Sequence, residues 1–117
     1  TALMGAAQQG HERVVDLLLQ RGAEIDMQSI SGGTALMGAA QQGHERVVDL
    51  LLQRGAQVNL QTNSGETALM GAAGNGYKRV VEFLLKHGAE INLQANEGDA
   101  ALMSAGNNGH ERVVKLL

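Results

Sequence analysis

Two kinds of hydrophobic pattern alternate along the chain. In the segment Ala35–Gln41, small and apolar residues follow one another, whereas in residues 44–53 apolar positions cover most of a helical surface and polar positions form one stripe. The second spacing is typical of a helix that is buried except along one edge. The pattern therefore predicts two short helices in succession, the second of them largely buried.

Residues at the ends of these segments predict where the helices begin and end. The hydroxyl of Thr34 can accept a hydrogen bond from the first helical turn. Gly43 and Gly55 follow the two segments, and glycine tolerates the left-handed backbone conformation that closes a helix. Arg54 lies in the last turn, where a cation suits the helix dipole. We expect a helix–turn–helix unit.

Each second helix is followed by a stretch in which apolar and polar residues alternate. Residues 57–61 alternate in this way, and Gly65 follows them. Alternation that ends at a glycine is typical of an extended hairpin arm. Helices this short are unstable alone, because nucleation is costly, so each unit must pack on its neighbours. Gly5, Gly38 and Gly71 in the first helices predict close contact between adjacent helix pairs.

The whole chain is built from one repeated unit of 33 residues. Residues 1–23 recur without a change as residues 34–56, a third copy from Thr67 carries conservative changes, and a fourth stops at Leu117. Such a period indicates stacked supersecondary units without an internal domain boundary. We expect a single domain over residues 1–117, with repeats 1–33, 34–66 and 67–99 and a partial repeat 100–117.

The repeated unit follows the pattern T-A-L-M-x-A-A-x-x-G-H-x-x-V-V-x-L-L-L-x-x-G-A-x-[IV]-[ND] in four copies in phase, with Gly-Tyr for Gly-His in the third copy and a fourth that is partial. In this pattern the chain resembles the ankyrin-repeat family over its entire length. The resemblance implies a mainly α solenoid of stacked helix-turn-helix pairs with projecting β-hairpin-like fingers and a concave surface made of fingers and first helices. It also implies protein–protein recognition without catalysis.

The chain departs from the family pattern at two places. The usual Thr-Pro-Leu-His opening is Thr-Ala-Leu-Met, so alanine replaces proline, and methionine replaces a histidine that bonds within and between units. We expect flexible apolar packing there. The methionines concerned are Met4, Met37, Met70 and Met103. The usual aspartate at the base of the finger is Ser29, Thr62 and Ala95, so its turn-stabilising acceptor is weakened in two repeats and lost in the third.

Composition and the lengths of the apolar runs argue against nucleic acid and against a membrane as partners. Nine Lys and Arg stand against twelve Asp and Glu, and there are one Tyr, one Phe and no Trp. The chain therefore lacks both the basic footprint and the aromatic platforms of nucleic-acid binders. No apolar run approaches the roughly 18 residues of a membrane span. The absence of cysteine is compatible with an intracellular, reducing compartment but leaves the location open.

No constellation in the sequence predicts catalysis, a metal site or a cofactor. His11, His44 and His110 are one or more whole repeats apart, and none has the second histidine of an H-E-x-x-H site. We interpret them as structural residues at the turn between helices. The serines lack a G-x-S-x-G elbow, and the glycine-rich runs lack the G-K-[ST] of a phosphate loop.

Positions that vary between otherwise constant copies are our candidates for partner binding, because packing constrains them least. They lie at the finger tips and at the ends of the first helices: Ile30, Ser31, Gly33, Gln41, Gln42, Asn63, Ser64, Glu66, Gly74, Asn75, Tyr77, Asn96, Glu97, Asp99, Asn107 and Asn108. Drift at exposed loops would give the same variation. Tyr77 is the lone aromatic residue in the set.

Three functions remain open. The first is a protein interaction module that binds through its concave face and finger tips. The second, which the identical 23-residue blocks favour, is a consensus-like or recently duplicated scaffold without a dedicated partner. The third is an accessory domain that positions an enzyme outside this chain. Neither end carries the polar outer face that solenoid caps need, so we also expect self-association or fraying.

Overall fold

The computed structural model describes residues 1–92, 101–107 and 109–117, without the side chains of residues 102, 104 and 107. The described residues form helices joined by turns, with no strand among them. The first helices of the repeats are α1 (Ala2–Gln8), α3 (Ala35–Gln41), α5 (Ala68–Gly74) and α7 (Ala101–Asn107). The second helices are α2 (Glu12–Gln20), α4 (Glu45–Gln53), α6 (Lys78–Lys86) and α8 (Glu111–Leu116).

The helices form two stacked rows. Each first helix packs on the second helix of its own repeat and on the first helices of adjacent repeats, and the second helices likewise contact one another in succession. The resulting body measures 39 × 26 × 22 Å. This arrangement confirms the predicted mainly α stack of helix–turn–helix pairs.

Threonine caps start the first helices of the first three repeats, as predicted. The hydroxyl oxygen of Thr34 accepts from Met37 N at 3.2 Å, and that of Thr67 accepts from Met70 N at 3.2 Å. Both threonines are buried between repeats. Because a buried hydroxyl needs a partner, the cap serves the packing of the repeats as well as the start of the helix.

Glycine with positive φ ends the helices. At Gly43, φ is +74°, His44 N donates to Ala39 O at 3.0 Å, and Gly43 N donates to Ala40 O at 3.2 Å. This pair of bonds is the Schellman motif, which satisfies carbonyls that the helix itself leaves unpaired. Gly55, with φ +89°, ends α4 in the same way.

The core lies between the two rows, and its fully buried side chains are aliphatic in the described part of the chain, with the partly buried Phe83 packed against them. Leu36 and Leu69 from the first helices meet Leu51 and Leu84 from the second helices, and all four are buried. Several alanines of the first helices are also fully enclosed, namely Ala39, Ala40, Ala72 and Ala73. Small side chains at these positions let neighbouring backbones approach, so the core needs no aromatic ring.

The finger segments are residues 24–33, 57–66 and 90–99, of which the third is described only as far as Asn92. Each segment begins with a turn where alternation predicts an extended arm, at residues 25–26, 58–59 and 91–92. The tips do have hairpin bonds, with Ser29 N donating to Gly33 O at 2.8 Å and Thr62 N donating to Glu66 O at 2.8 Å. The two fingers described in full are therefore hairpin-like without a strand ladder.

Bonds across the base of the fingers tie consecutive repeats together. Asp26 Oδ1 accepts from Gln57 N at 2.9 Å, and Asn59 Oδ1 accepts from Glu90 N at 2.8 Å. Within the fingers, Ser29 Oγ and Thr62 Oγ1 accept from backbone N–H groups four residues on, both at 3.1 Å. Ser29 and Thr62 stand where the family pattern has an aspartate, and their hydroxyl oxygens still accept a hydrogen bond in the turn. Ala95, at the same position of the third repeat, lies outside the described residues.

The expectation of tight packing at the helical glycines is wrong. A Cβ added at Gly38 would lie 3.5 Å from Gln8 Cβ, one added at Gly71 would lie 3.5 Å from Gln41 Cβ, and one at Gly5 would meet nothing within 4 Å. These are ordinary contacts or open space. The close approach occurs at the turn glycines instead, because a ring from the next repeat lies over each of Gly10, Gly43 and Gly76.

Gly38→Ala and Gly71→Ala should therefore stabilise the fold. Alanine in a helix interior is favoured over glycine by about 0.5–1 kcal/mol, since the unfolded chain loses less entropy on folding. We expect this gain at each site in urea unfolding. Gly5→Ala, which adds no contact within 4 Å, is the matched control for the backbone effect alone. A loss of stability at Gly38 beside a gain at Gly5 would show that the space beside Gly38 does not accept a methyl group.

Candidate interaction surface

A groove of about 390 Å³ lies between the first helices and the finger segments. It is open to solvent and crosses three repeats, since α1, α3 and α5 all contribute to it. The residues that line it are Met4, Gln8, Ser29, Ser31, Gly33, Thr34, Met37, Gly38, Gln41, Thr62, Glu66, Thr67 and Gly71. No single repeat could form this surface, because its floor and its rim come from neighbouring units.

The floor of the groove is apolar. Met4 and Met37 are partly buried and pack against the core while they also line the groove. Met70, at the same repeat position, is buried, and Met103 is exposed. Three of the methionines thus pack in or against the core, as expected, and two of these also present flexible thioether side chains to the groove.

The rim is polar. Gln8 and Gln41 are exposed at equivalent positions of α1 and α3, and Ser31 and Glu66 are exposed on the fingers. Amide and hydroxyl groups of this kind can hydrogen-bond to the backbone of a bound segment. Glu66 is the charged residue of the groove lining.

Hydrogen bonds between neighbouring fingers fix the finger tips. Asn63 Nδ2 donates to Ile30 O at 2.9 Å, and Asn63 N donates to Ser31 O at 2.9 Å. Gln28 Nε2 donates to Gly32 O at 3.0 Å and to Gln61 O at 3.3 Å. Ile30 itself is fully exposed. The side chain of Asn63 therefore holds two fingers in register, whereas that of Ile30 is available for a contact.

Histidines at the turn between helices join one repeat to the next. The Nε2 atom of His44 bonds to Gln8 O at 2.9 Å, and that of His110 bonds to Gly74 O at 3.0 Å. Because a carbonyl only accepts, the ring nitrogen donates in both bonds. Each ring thus satisfies a carbonyl at the end of the preceding first helix, which confirms the structural interpretation of His44 and His110.

The third repeat makes the same connection with different residues. Tyr77 stands where the other repeats have histidine, and its ring lies over Gly43. The carbonyl of Gln41 accepts instead from Asn75 Nδ2 at 3.2 Å. Asn75 and Tyr77 together replace the imidazole, with one supplying the donor and the other the packing. The bond to Gln41 O is therefore kept in the repeat that lacks the histidine.

A sequence model of ankyrin repeats, in three copies, matches residues 3–95 and 55–117. The chain belongs to the ankyrin-repeat family. We found no curated protein that matches the chain. Ankyrin repeats are generally protein–protein interaction modules and are generally not catalytic.

In this ankyrin-repeat chain, the variable positions fall into separate groups. Ser31, Gly33, Gln41 and Glu66 meet in the groove. The others lie elsewhere or outside the described side chains. Ile30, Asn63 and Ser64 are at the finger tips; Gln42, Gly74, Asn75 and Tyr77 are at the turn between helices; the side chain of Asn107 is not described, and Asn96, Glu97, Asp99 and Asn108 lie outside the described residues.

Variation between repeats misses the constant part of the groove. Met4 and Met37 line it and stand at a position that is methionine in all four repeats, so a search for variable positions misses them. Gln8 and Thr62 also line the groove, at positions that do vary, but they were not among our candidates. Gln8 could have been found from its equivalence to Gln41, one period later. Invariance between repeats therefore does not separate core positions from groove positions.

The outer face of the second helices is charged and solvated, as expected. Arg54 forms an ion pair with Asp16 of the preceding repeat, and Lys78 pairs with Glu82 at 3.9 Å. These side chains are well exposed, so each pair contributes little stability. Within the described part of the chain, no group of His, Asp and Glu could hold a metal ion, and no helix has the length and apolarity to cross a membrane.

The substitution Asn75→Ala should cost about 1 kcal/mol of unfolding free energy, because Gln41 O loses its donor. Gln42→Ala, at the equivalent position of the second repeat, should change stability by less than about 0.5 kcal/mol. In a Tyr77→His background the cost of Asn75→Ala should fall, since the imidazole can then bond to Gln41 O. A double-mutant cycle in urea measures this coupling, and strict additivity would show that Asn75 and residue 77 act independently.

Proposed function

We propose that the chain is a non-catalytic interaction module that binds a segment of a protein partner in its concave groove. The observation that supports this proposal is the continuity of the groove over α1, α3 and α5, with an apolar floor and a polar rim. The general role of ankyrin repeats points the same way. We place the contacts at the groove and the finger tips, with Ile30, Ser31, Gln41 and Glu66 as the central candidates.

We further propose that residues 1–117 form one interaction domain, divided into repeats 1–33, 34–66 and 67–99 and a partial repeat 100–117. A groove that crosses repeats requires them to act as a single rigid surface. Under this proposal, a partner contacts several repeats at once.

A comparison of two triple variants tests the binding face. One carries Gln8→Ala, Gln41→Ala and Glu66→Ala, which truncate the groove rim; the other carries Gln20→Ala, Gln53→Ala and Glu45→Ala on exposed positions of the second helices. Both remove two amides and one carboxylate. We expect immobilised chain to lose a captured protein in the first variant and keep it in the second. If only the second variant loses the captured protein, the binding face lies on the second helices instead of the groove.

A scaffold without a dedicated partner is the second candidate, and the identical blocks 1–23 and 34–56 favour it. In that case neither triple variant changes what the immobilised chain retains. The same capture experiment therefore separates the two functions.

We also propose that the chain self-associates through the face of the first repeat. Val14 is 46% exposed and Leu17 is 54% exposed, whereas Val47, at the position of Val14 in the identical block, is 1% exposed. The exposed face of α2 in the first repeat therefore has the same sequence as a face of α4 that is buried in the second repeat. We expect the sedimentation coefficient to rise with concentration. A constant monomer value would contradict the proposal.

A further inference from the structure

Positive charge is confined to the outer row of helices. Each Lys and Arg of the chain lies in a second helix or at the residue that directly follows one: Arg13, Arg21, Arg46, Arg54, Lys78, Arg79, Lys86, Arg112 and Lys115. The first helices and the finger segments contain no Lys or Arg. The cations of the chain therefore lie away from the groove.

Negative charge is distributed differently. The second helices carry six carboxylates beside their cations, whereas the finger segments carry six carboxylates and no cation. Those of the finger segments are Glu24, Asp26, Glu66, Glu90, Glu97 and Asp99, of which the last two lie outside the described residues. The finger segments are therefore anionic in sequence, while the second helices and the residues that follow them have a net positive charge.

Glu66 is the finger carboxylate that lines the groove. It is the last residue of the second finger segment and is exposed, and its backbone N–H donates to Thr62 Oγ1 at 3.1 Å. The ion pairs among the described residues all lie along the outer row of helices and do not include Glu66. A Lys or Arg side chain of a bound partner would therefore complement the negative charge of Glu66 at the rim.

We infer that the groove takes a basic, extended segment of a partner protein, with Lys or Arg side chains directed at the fingers. This inference rests on the proposed function and names the chemistry of the partner. The aliphatic stems of Lys and Arg can lie on Met4 and Met37 while their charged ends reach the rim.

The spacing of the repeats sets the expected spacing of the cations. Packed helices are about 8–10 Å apart, and an extended chain advances about 3.3 Å per residue. About three residues of an extended segment thus match one repeat. A segment with a cation at every third residue therefore presents a cation to Glu66 whichever repeat the segment starts from.

Three capped nonapeptides test the inference, each with three copies of Lys-Ala-Ala, Gln-Ala-Ala or Glu-Ala-Ala. In amide NMR titrations we expect the Lys peptide to bind most tightly, to shift the signals of Ser31, Gln41 and Thr62, and to weaken as salt is raised, because exposed charges are screened. Tighter binding of the Glu peptide, or no binding of the Lys peptide, would overturn the inference.

Two variants that each neutralise one carboxylate test which of them contributes to binding of the Lys peptide. Glu66→Gln should weaken binding of the Lys peptide by about two- to fivefold, as for other exposed ion pairs. Glu45→Gln, on the exposed face of α4, should leave it unchanged. An equal effect of both variants would place the peptide outside the groove and overturn the inference.

Failure of this inference can be distinguished from failure of the proposed function. If the groove triple variant loses a captured protein but the Lys peptide does not bind, the groove is an interaction site for a partner of different chemistry. If capture is also unaffected by the groove variant, the proposed function fails as well.

Discussion

Gly43→Ala is expected to reduce the free energy of unfolding by about 2–4 kcal/mol, from left-handed backbone strain and overpacking together. Gly43 has φ +74°, and an added Cβ would lie 2.8 Å from Tyr77 Cε1. The ring of Tyr77 would have to move, which disturbs the contact between the second and third repeats. Urea unfolding measures the loss.

Gly55→Ala is the matched control for that result. Gly55 has φ +89° and also ends a helix, but an added Cβ would meet nothing within 4 Å. It should therefore cost only the backbone strain, about 1–2 kcal/mol. In a Tyr77→Ala background the cost of Gly43→Ala should fall to that of Gly55→Ala. Equal costs of the two glycine substitutions in the wild-type background would show that the ring does not constrain Gly43.

Val47→Ala is expected to cost about 2–3 kcal/mol, because it removes two buried methyl groups and leaves a cavity. Val14→Ala, in the identical block, should cost less than about 0.5 kcal/mol under dilute conditions. Val47 is 1% exposed and Val14 is 46% exposed. The two substitutions differ only in whether a preceding repeat covers the side chain.

Urea unfolding of both valine variants at low protein concentration provides the measurement. Similar costs at the two sites would show that local helix formation, rather than packing between repeats, dominates stability. At high concentration, Val14→Ala should also weaken self-association, which sedimentation can follow in the same samples.

The elements of the fold could be predicted because their signals are local. Thr34 caps a helix whose first turn it precedes, and Gly43 lies at the end of that helix, where His44 N donates to Ala39 O. Such features depend on the backbone preferences of a few adjacent residues. The finger segments show the limit of local signals, because periodicity does not distinguish a pair of turns from an extended arm when no strand pairs with it.

The candidate surface could be predicted only in part. Glu66 and Gln41 do line the groove, but Asn63 ties two fingers together, and Asn75 donates to Gln41 O. Asn75 supplies the donor to Gln41 O in the repeat where Tyr77 stands in place of the histidine. A sequence shows that a position changes, and it does not show which contact compensates for the change.

The repeat, the helices with their caps and the family follow from the amino-acid sequence, because they depend on period and on local backbone preference. Which of the identical residues are covered depends on the packing of the repeats. His44 reaches Gln8 O across 36 positions, and the same valine is exposed in the first block and buried in the second. Burial is a property of the packed neighbour, so two identical stretches of sequence can have different environments.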